Sequence, residues 1–451
     1  MTEPLRCIVL GAAGRDFHDV QTFFRTHPGF RVIAITAAQI PFIEARRFPR
    51  ELAGPGYDED IPIVLESELP RLVREHDIDF VFLSYSDLSH VEVMHKAAIA
   101  QAAGASFALL GPRHTQLRSR LPVVAVTASR TGAGKSPVTQ FLAAHLRGRG
   151  HRVGVLRHPM PYGDLRAQVV QRFATPEDLD RHHCTIEERE EYAPYVAMGL
   201  PIFAGVDYAR VLAAAEAEAD VILWDGGNND TPFLRPDLWI TVLDALRPGH
   251  ELAYHPGETN LRAADLVVIS KVGRARPEDV AAIEENVRAV NAAARVIHAD
   301  LAVRVEPAGA LAGKRVLVVE DGPTVTHGGM RFGAGTVAAR EGGVAAVIDP
   351  RPFAVGSIAE AFRTYTHLEQ VLPALGYSDA QRQDLARTIT LAAPELVVDA
   401  SPAGVVEMLG LAVPCVRARY TFDQVSGPRL EAVVDETLDA LARRAHAEEA
   451  T

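Results

Sequence analysis

Only three cysteines, Cys7, Cys184 and Cys415, occur in the 451 residues. They lie far apart and none belongs to a CxxC or CxxH pair, which excludes a disulfide framework and a zinc site and makes a reducing, cytoplasmic compartment the expected one. Basic residues are also scarce: 46 Lys and Arg stand against 58 Asp and Glu, a formal net charge of −12. That balance excludes non-specific nucleic-acid binding, which needs a basic face, yet it leaves room for a local basic pocket around a small anion. No run approaches the ~20 apolar residues of a membrane span, so no membrane association is expected. The opening "MTEPLRCIVLGAAGRD" has too short an apolar stretch for a signal peptide and reads as a first strand. Low-complexity segments and repeats of solenoid length are missing as well.

What is present is a globular balance, 48% hydrophobic and 23% charged, in a chain long enough for two or three domains. Short β-rich runs alternate with helical patterns, the signature of parallel α/β sheets. A first block has strands at 7–11, 31–36, 80–85 and 106–111, helices over 18–26, 67–75 and 89–103, and a linker over 110–122. A second starts at "PVVAVTAS" and has further strands at 152–159, 221–227, 238–245 and 265–272. A third, from about residue 306, has strands at 314–323, 344–350, 396–401 and 413–420. The expected fold class is therefore α/β and multidomain. A Rossmann-like parallel sheet takes 1–119, a P-loop nucleotide-binding unit 120–305, and a smaller α/β unit 306–451. The first block's "GAAGRDFHD" is weak as a dinucleotide fingerprint, because no acidic residue ends the second strand to hold a ribose.

The sharpest signal is "TASRTGAGKSPVTQ" at 127–140, which follows a strand and opens a helix. Gly132, Ala133 and Gly134 let the backbone wrap phosphate oxygens, and amides at the helix N-terminus face the anion. Lys135 would reach the β- and γ-phosphates of ATP, and the Ser136 hydroxyl would ligate Mg²⁺. Pro137 is tolerated in the first helical turn. Ser129 departs from the usual pattern, which has a glycine there. Arg130, five residues before Lys135, occupies the slot of the signature lysine in the deviant Walker A loops of SIMIBI-class proteins, which this loop resembles. It would touch the nucleotide phosphates in cis or across a homodimer; the alternative is a solvated loop arginine.

Asp225 ends the apolar run "VILWD" and would hold Mg²⁺ through water, the plain alternative being a strand-ending turn. Lys135, Asp225 and Arg130 are thus the catalytic candidates, with Ser136 and Asp225 as the metal ligands. Lys271 lies in "VVISKVG", which resembles a base-recognition strand but lacks the aspartate that would read guanine. ATP is favoured over GTP on that ground. Asp244, Arg247, His250 and Glu251 form either a pocket edge or a salt-bridged loop. "TIEEREEYAPYV" reads as a solvated acidic helix with Glu188 and Glu191 outward, a metal or gating role being the alternative.

Taken together, "SRTGAGKS", "RHPMPYGDL", "EEREEY", "FAGVDY", "LDALRPGHE", "LRAADLVVISK" and "VVEDGPTVTHGGM" resemble cyclic 2,3-diphosphoglycerate synthetase and its homologues, across most of the chain. The resemblance implies an ATP- and Mg²⁺-dependent ring closure in which a bisphosphorylated glycerate gains the γ-phosphoryl and then expels phosphate to give a cyclic pyrophosphate. Two dianionic phosphates repel, so cations must clamp the substrate. Arg157 would pair with one phosphate and His158 would donate to it, with Asp164 helping to position Mg²⁺. In the third block, His327, Gly328, Gly329 and Arg331 would make a second anion cradle, or else a plain glycine-rich connection. Asp399 and Ser401 would close the same cleft. The implied partner is a small phosphorylated anion, and relatives of this class often dimerise, so a homodimer is expected. Two other readings stand beside this one. The first is a nucleotide switch or metallochaperone-like NTPase, against which the missing metal-delivery element and guanine-reading aspartate both count. The other is an enzyme of this fold that activates a different acidic metabolite.

Overall fold

Parallel strands covered by helices on both faces read as continuous apolar runs, and such runs build two large sheets here. The computed structural model describes residues 3–11, 14–37, 46–158, 163–326, 328–368, 370–376 and 378–449. The first block forms a six-stranded sheet in the order Arg47–Phe48, Ile61–Leu65, Phe30–Ala37, Leu5–Leu10, Phe80–Leu83, Ser106–Leu109. All its pairs are parallel except the short antiparallel edge. Val9, Phe17, Ile35 and Phe82 pack on one face, and Ile8, Leu10, Leu72 and Val81 on the other. The strand Ile61–Leu65 escapes the sequence pattern because Pro62 sits inside it. A proline demotes a run to the margin of a sheet, and this strand's outer neighbour is only two residues long.

The second and third blocks share one continuous sheet of 13 strands. The strand that feeds the phosphate loop, Val123–Ala128, lies between Val221–Trp224 and Leu238–Asp244. From Leu266–Ser270 the sheet passes to the 12-residue strand Arg295–Glu306 and then, antiparallel, to the 12-residue Cys415–Ser426. Leu396–Asp399 and Arg315–Glu320 continue it. The expected boundary after residue 305 thus falls at the end of a strand whose sheet does not break there. The last helix, Leu430–Glu449, returns to the second block, where Leu430, Val433 and Val434 pack in one core with Val124, Leu142 and Val268. The first block is tied on by the antiparallel pair Leu88–Ser89 and Tyr254–His255 and by His18 stacked on Phe233 at 4.0 Å. All three cysteines are free, and no helix among the described residues is long and apolar enough to cross a membrane.

Candidate active site

The fully buried strand Val123–Ala128 delivers the chain into the loop at 129–134. Gly132 (φ 76°) and Gly134 (φ 103°) occupy the left-handed region that glycine alone enters cheaply. The helix Lys135–Gly148 begins directly after Gly134, so its free amides belong to the loop. Side chains at or just beyond the ends of the strands Leu238–Asp244 and Leu266–Ser270 hold the loop carbonyls. Lys271 Nζ donates to Gly132 O at 2.7 Å, Ser270 Oγ to Ala133 O at 2.5 Å, and an Arg247 nitrogen to Thr131 O at 2.7 Å. Asp244 in turn accepts from Lys271 and Arg247, each at 2.8 Å. Lys271 is therefore a brace beneath the loop. At Ser129 the carbonyl accepts from Asn229 at 2.9 Å. A side chain at Gly257 would collide with that same oxygen, a close approach that nothing local in "PGETN" announces.

Asp225, only 1% exposed, is the hub. It accepts from Lys135 Nζ at 2.8 Å and from the Tyr195 hydroxyl at 2.7 Å, and an Arg157 nitrogen lies 2.9 Å from its carboxylate. Burial alone would raise its carboxyl, but the charges of Lys135 and Arg157 hold it below the usual range. Burial, then Arg157, brings the Lys135 ammonium down from 10.5 to about 8 despite the neighbouring Asp225. Between those two values the unfolded chain holds a proton that the folded one lacks, so stability rises with pH through this window. Affinity for a polyphosphate moves the opposite way, because the loop loses its cation. Binding of ATP should weaken by up to about tenfold per unit above pH 8. Calorimetry in buffers of different ionisation enthalpy would read the matching proton uptake, and a flat affinity to pH 10 would refute it.

Tyr195 and Glu191 come from the helix Ile186–Ala197, which the sequence presents as a solvated acidic face. The structure corrects this. Ile186, Glu188, Glu190, Tyr192, Tyr195 and Val196 are buried, and Glu191 is ion-paired with Arg157. Glu191 and Tyr195 are four residues apart and share a face, a spacing that was readable but masked by the run of acids. Glu188 closes a capping box, accepting from Thr185 N at 2.8 Å while Thr185 Oγ1 accepts from Glu188 N at 3.2 Å. Burial pushes its carboxyl up to about 7.

The phosphate clamp expected from the other candidates is not assembled. Arg157 is buried and taken up by Asp225 and Glu191, also donating to Asp225 O at 3.0 Å. His158 Nδ1 lies 2.9 Å from Asp230. Asp164 is exposed in a turn beside the first block, where it accepts from Arg166 N at 2.9 Å and Arg166 pairs with Glu51 and Asp60. His327 lies outside the described residues. Gly328 accepts from Arg247 at 3.0 Å, Gly329 is at φ 65°, and Arg331 is exposed. Arg130 meets Asp87 of the first block at 2.7 Å and His250 at 2.9 Å, and sits 3.6 Å over the Tyr254 ring. The structure thus holds it within its own chain and on the N-terminal unit.

Amides of the third block's glycine-rich segment do converge on an anion, but the anion is the protein's own Glu320. It accepts from Gly333 N at 2.9 Å, Gly335 N at 3.1 Å, Thr336 N at 2.7 Å and Thr336 Oγ1 at 2.8 Å. Asp399 does the same nearby, taking Ser401 N at 2.9 Å and Val406 N at 3.0 Å. Glu320→Ala should therefore cost about 3 kcal/mol of unfolding free energy, since buried donors would lose their acceptor. Urea denaturation would show it, and an unchanged midpoint would argue that water replaces the carboxylate.

Lys135, Ser136 and Gln140 line one side of a cavity of about 190 Å³, and the third block and the helix Ile186–Ala197 close it. Five acids, Glu190, Glu191, Asp225, Glu320 and Asp321, are among its lining residues, against two cations, Lys135 and Arg419. Among the described residues, no group of three or more His, Cys, Asp or Glu could hold a metal ion by itself.

No family model matches the chain. Arginine synthetase ArcE of Thermococcus kodakarensis is 53% identical to it over 431 residues, 96% of each chain. A tetraacyldisaccharide 4'-kinase of Anaeromyxobacter sp. (strain K) is 34% identical over 184 residues, 38% of this chain and 47% of its own. Among solved structures, LpxK of Aquifex aeolicus in complex with ATP aligns with a TM-score of 0.43 and 14% identity over 72% of this chain and 90% of its own. The first of these bears a different name from the family that the motif string resembles, while the phosphate loop serves either reading. With more than half of its residues shared over nearly the full length of both chains, the protein is an enzyme that belongs to the arginine synthetase ArcE family.

Proposed function

We propose that the protein is an ATP- and Mg²⁺-dependent synthetase that makes arginine, the product named for its relative. In this reading the γ-phosphoryl of ATP passes to an oxygen of an acceptor held beside Lys135. The observation that carries it is the joining of a phosphate loop to an acid-walled cavity, which suits a nitrogen-rich acceptor better than a bisphosphate. Completing a guanidinium from a ureido precursor replaces a carbonyl oxygen by nitrogen. That oxygen leaves only once phosphorylated, and the balance is precursor, ammonia and ATP giving arginine, ADP and phosphate.

The residues present fit such a nucleotide. The loop amides at 132–136 would bind its phosphates, with Lys135 turning from Asp225 to neutralise them. Ser136 and, through water, Asp225 would hold Mg²⁺, an ion that usually keeps several waters and phosphate oxygens among its ligands. Bound MgATP supplies the electrophilic phosphoryl group. Arg157 and Tyr195 keep the Asp225 carboxylate in place during the exchange of partners, and the third block shuts out water. Lys271, without a following acid, supports ATP over GTP. One chain completes the site in this proposal, since Arg130 is held in cis.

The test is incubation with MgATP, ammonium and the δ-ureido analogue of arginine, followed by ³¹P NMR and amino-acid analysis. Arginine formed in step with ADP supports the proposal, and unconsumed ATP with no arginine overturns it. A parallel incubation with 2,3-bisphosphoglycerate gives the second reading, carried by the motif order, its chance: a cyclic pyrophosphate signal would establish it.

A further inference from the structure

Glu190 stands apart from the other acids of the cavity. It is 5% exposed, lines the cavity, and neither carboxylate oxygen has a hydrogen-bond partner. Its neighbours on the same helix are accounted for: Glu188 closes the capping box and Glu191 is paired with Arg157. A buried carboxylate without donors costs several kcal/mol unless it is protonated or meets a cation. The charged groups around it make matters worse. Asp321 from the third block, Glu187 on the same helix and Asp399 all repel it, and Arg417 opposes them. Burial first, and these acids second, hold the carboxyl well above the usual range. Asp321 keeps one oxygen on Thr324 Oγ1 at 2.7 Å, and burial raises it too.

We propose that Glu190, with Asp321 beside it, is the recognition point for a nitrogen cation, an ammonium ion or a guanidinium, in the acceptor half of the cavity. The proposal rests on the arginine-forming reading for its choice of ligand, and it assigns a residue that the phosphate-loop chemistry does not need. A guanidinium offers several N–H donors in a plane, and an ammonium ion offers four, so either can satisfy both orphan oxygens. Glu190 and Lys135 line the same cavity, so a cation held at Glu190 would share it with the phosphate loop, as a nitrogen nucleophile or the finished guanidinium must.

Glu190→Gln keeps the shape and removes the charge. Calorimetric titration of the full chain, saturated with MgADP, with ammonium chloride, guanidinium chloride and arginine in turn separates the two sources. At least one of these should bind wild-type protein and bind Glu190→Gln at least about tenfold more weakly, with MgADP affinity unchanged. Without the cation, wild type should lose stability relative to Glu190→Gln as pH rises above the ordinary carboxylate range, because the folded chain keeps a proton there that the unfolded chain releases. Asp321→Asn relieves the same repulsion from the other side and gives a second variant if the first does not fold. Cation affinity indifferent to both substitutions, or no binding of any of the three to wild type, overturns the proposal. Glu190-dependent cation binding without arginine turnover would leave this site standing and remove the proposed reaction instead.

Discussion

Lys135→Ala should lower ATP-dependent turnover by about 10²–10³-fold or more, the usual loss when a preorganised electrostatic donor is removed from a water-excluded site. The fold should survive. Lys135 is the first residue of a 14-residue helix whose buried face is Val138, Thr139, Leu142, Ala143 and Leu146, and none of those contacts involves the ammonium. Asp225 would keep Arg157 and Tyr195 as partners. Steady-state phosphate release, with circular dichroism on the same sample, separates the two effects. Wild-type turnover in a folded variant would show that the loop does not cradle the reacting phosphates.

Arg157→Ala should do the opposite, harming fold and chemistry together. Its guanidinium joins Asp225 to Glu191, and the side chains of Arg157 and Asp225 are 5% and 1% exposed. Removing one partner of a buried ion pair strands the other, typically at ~3–5 kcal/mol. Asp225 would retain Lys135, but that lysine would then be less free to turn towards a nucleotide. Affinity for ATP and the turnover rate should therefore fall in parallel with the unfolding midpoint. A variant of wild-type stability that loses only acceptor affinity would return Arg157 to the substrate pocket that its sequence position suggests.

The difference between those two residues shows what kind of information was legible. Both follow strands of the same sheet, and "GAGKS" and "LRHP" look equally like anion-binding ends. For Lys135, the neighbouring glycines specify the backbone conformation, so its place at the helix start follows from local geometry. The partners of Arg157 lie 34 and 68 residues away (191 − 157 and 225 − 157), and no local pattern says that two acids will consume its charge. The glycine-rich third block teaches the same point. Its amides do gather round an anion, as the composition suggests, yet the carboxylate that fills the cradle is Glu320, on the preceding strand. Acidic residues at 187–191 read as a solvated face because charge usually seeks water. Here Tyr195, Ile186 and Val196 turn that helix inward and carry Glu190 with them.

From the chain alone come the α/β class, the central strands, the glycine loop that sets Lys135 and Ser136 at a helix start, and Asp225 at the end of a strand. Each depends on apolar runs and backbone torsions that neighbouring residues impose. The tertiary fold alone decides that the second and third blocks share a sheet, that Arg130 is held by Asp87, and that the cavity is acidic with Glu190 left unpaired. Those outcomes rest on Coulomb attraction and desolvation, which vary with distance and burial, and both are set only when residues remote in sequence come into contact.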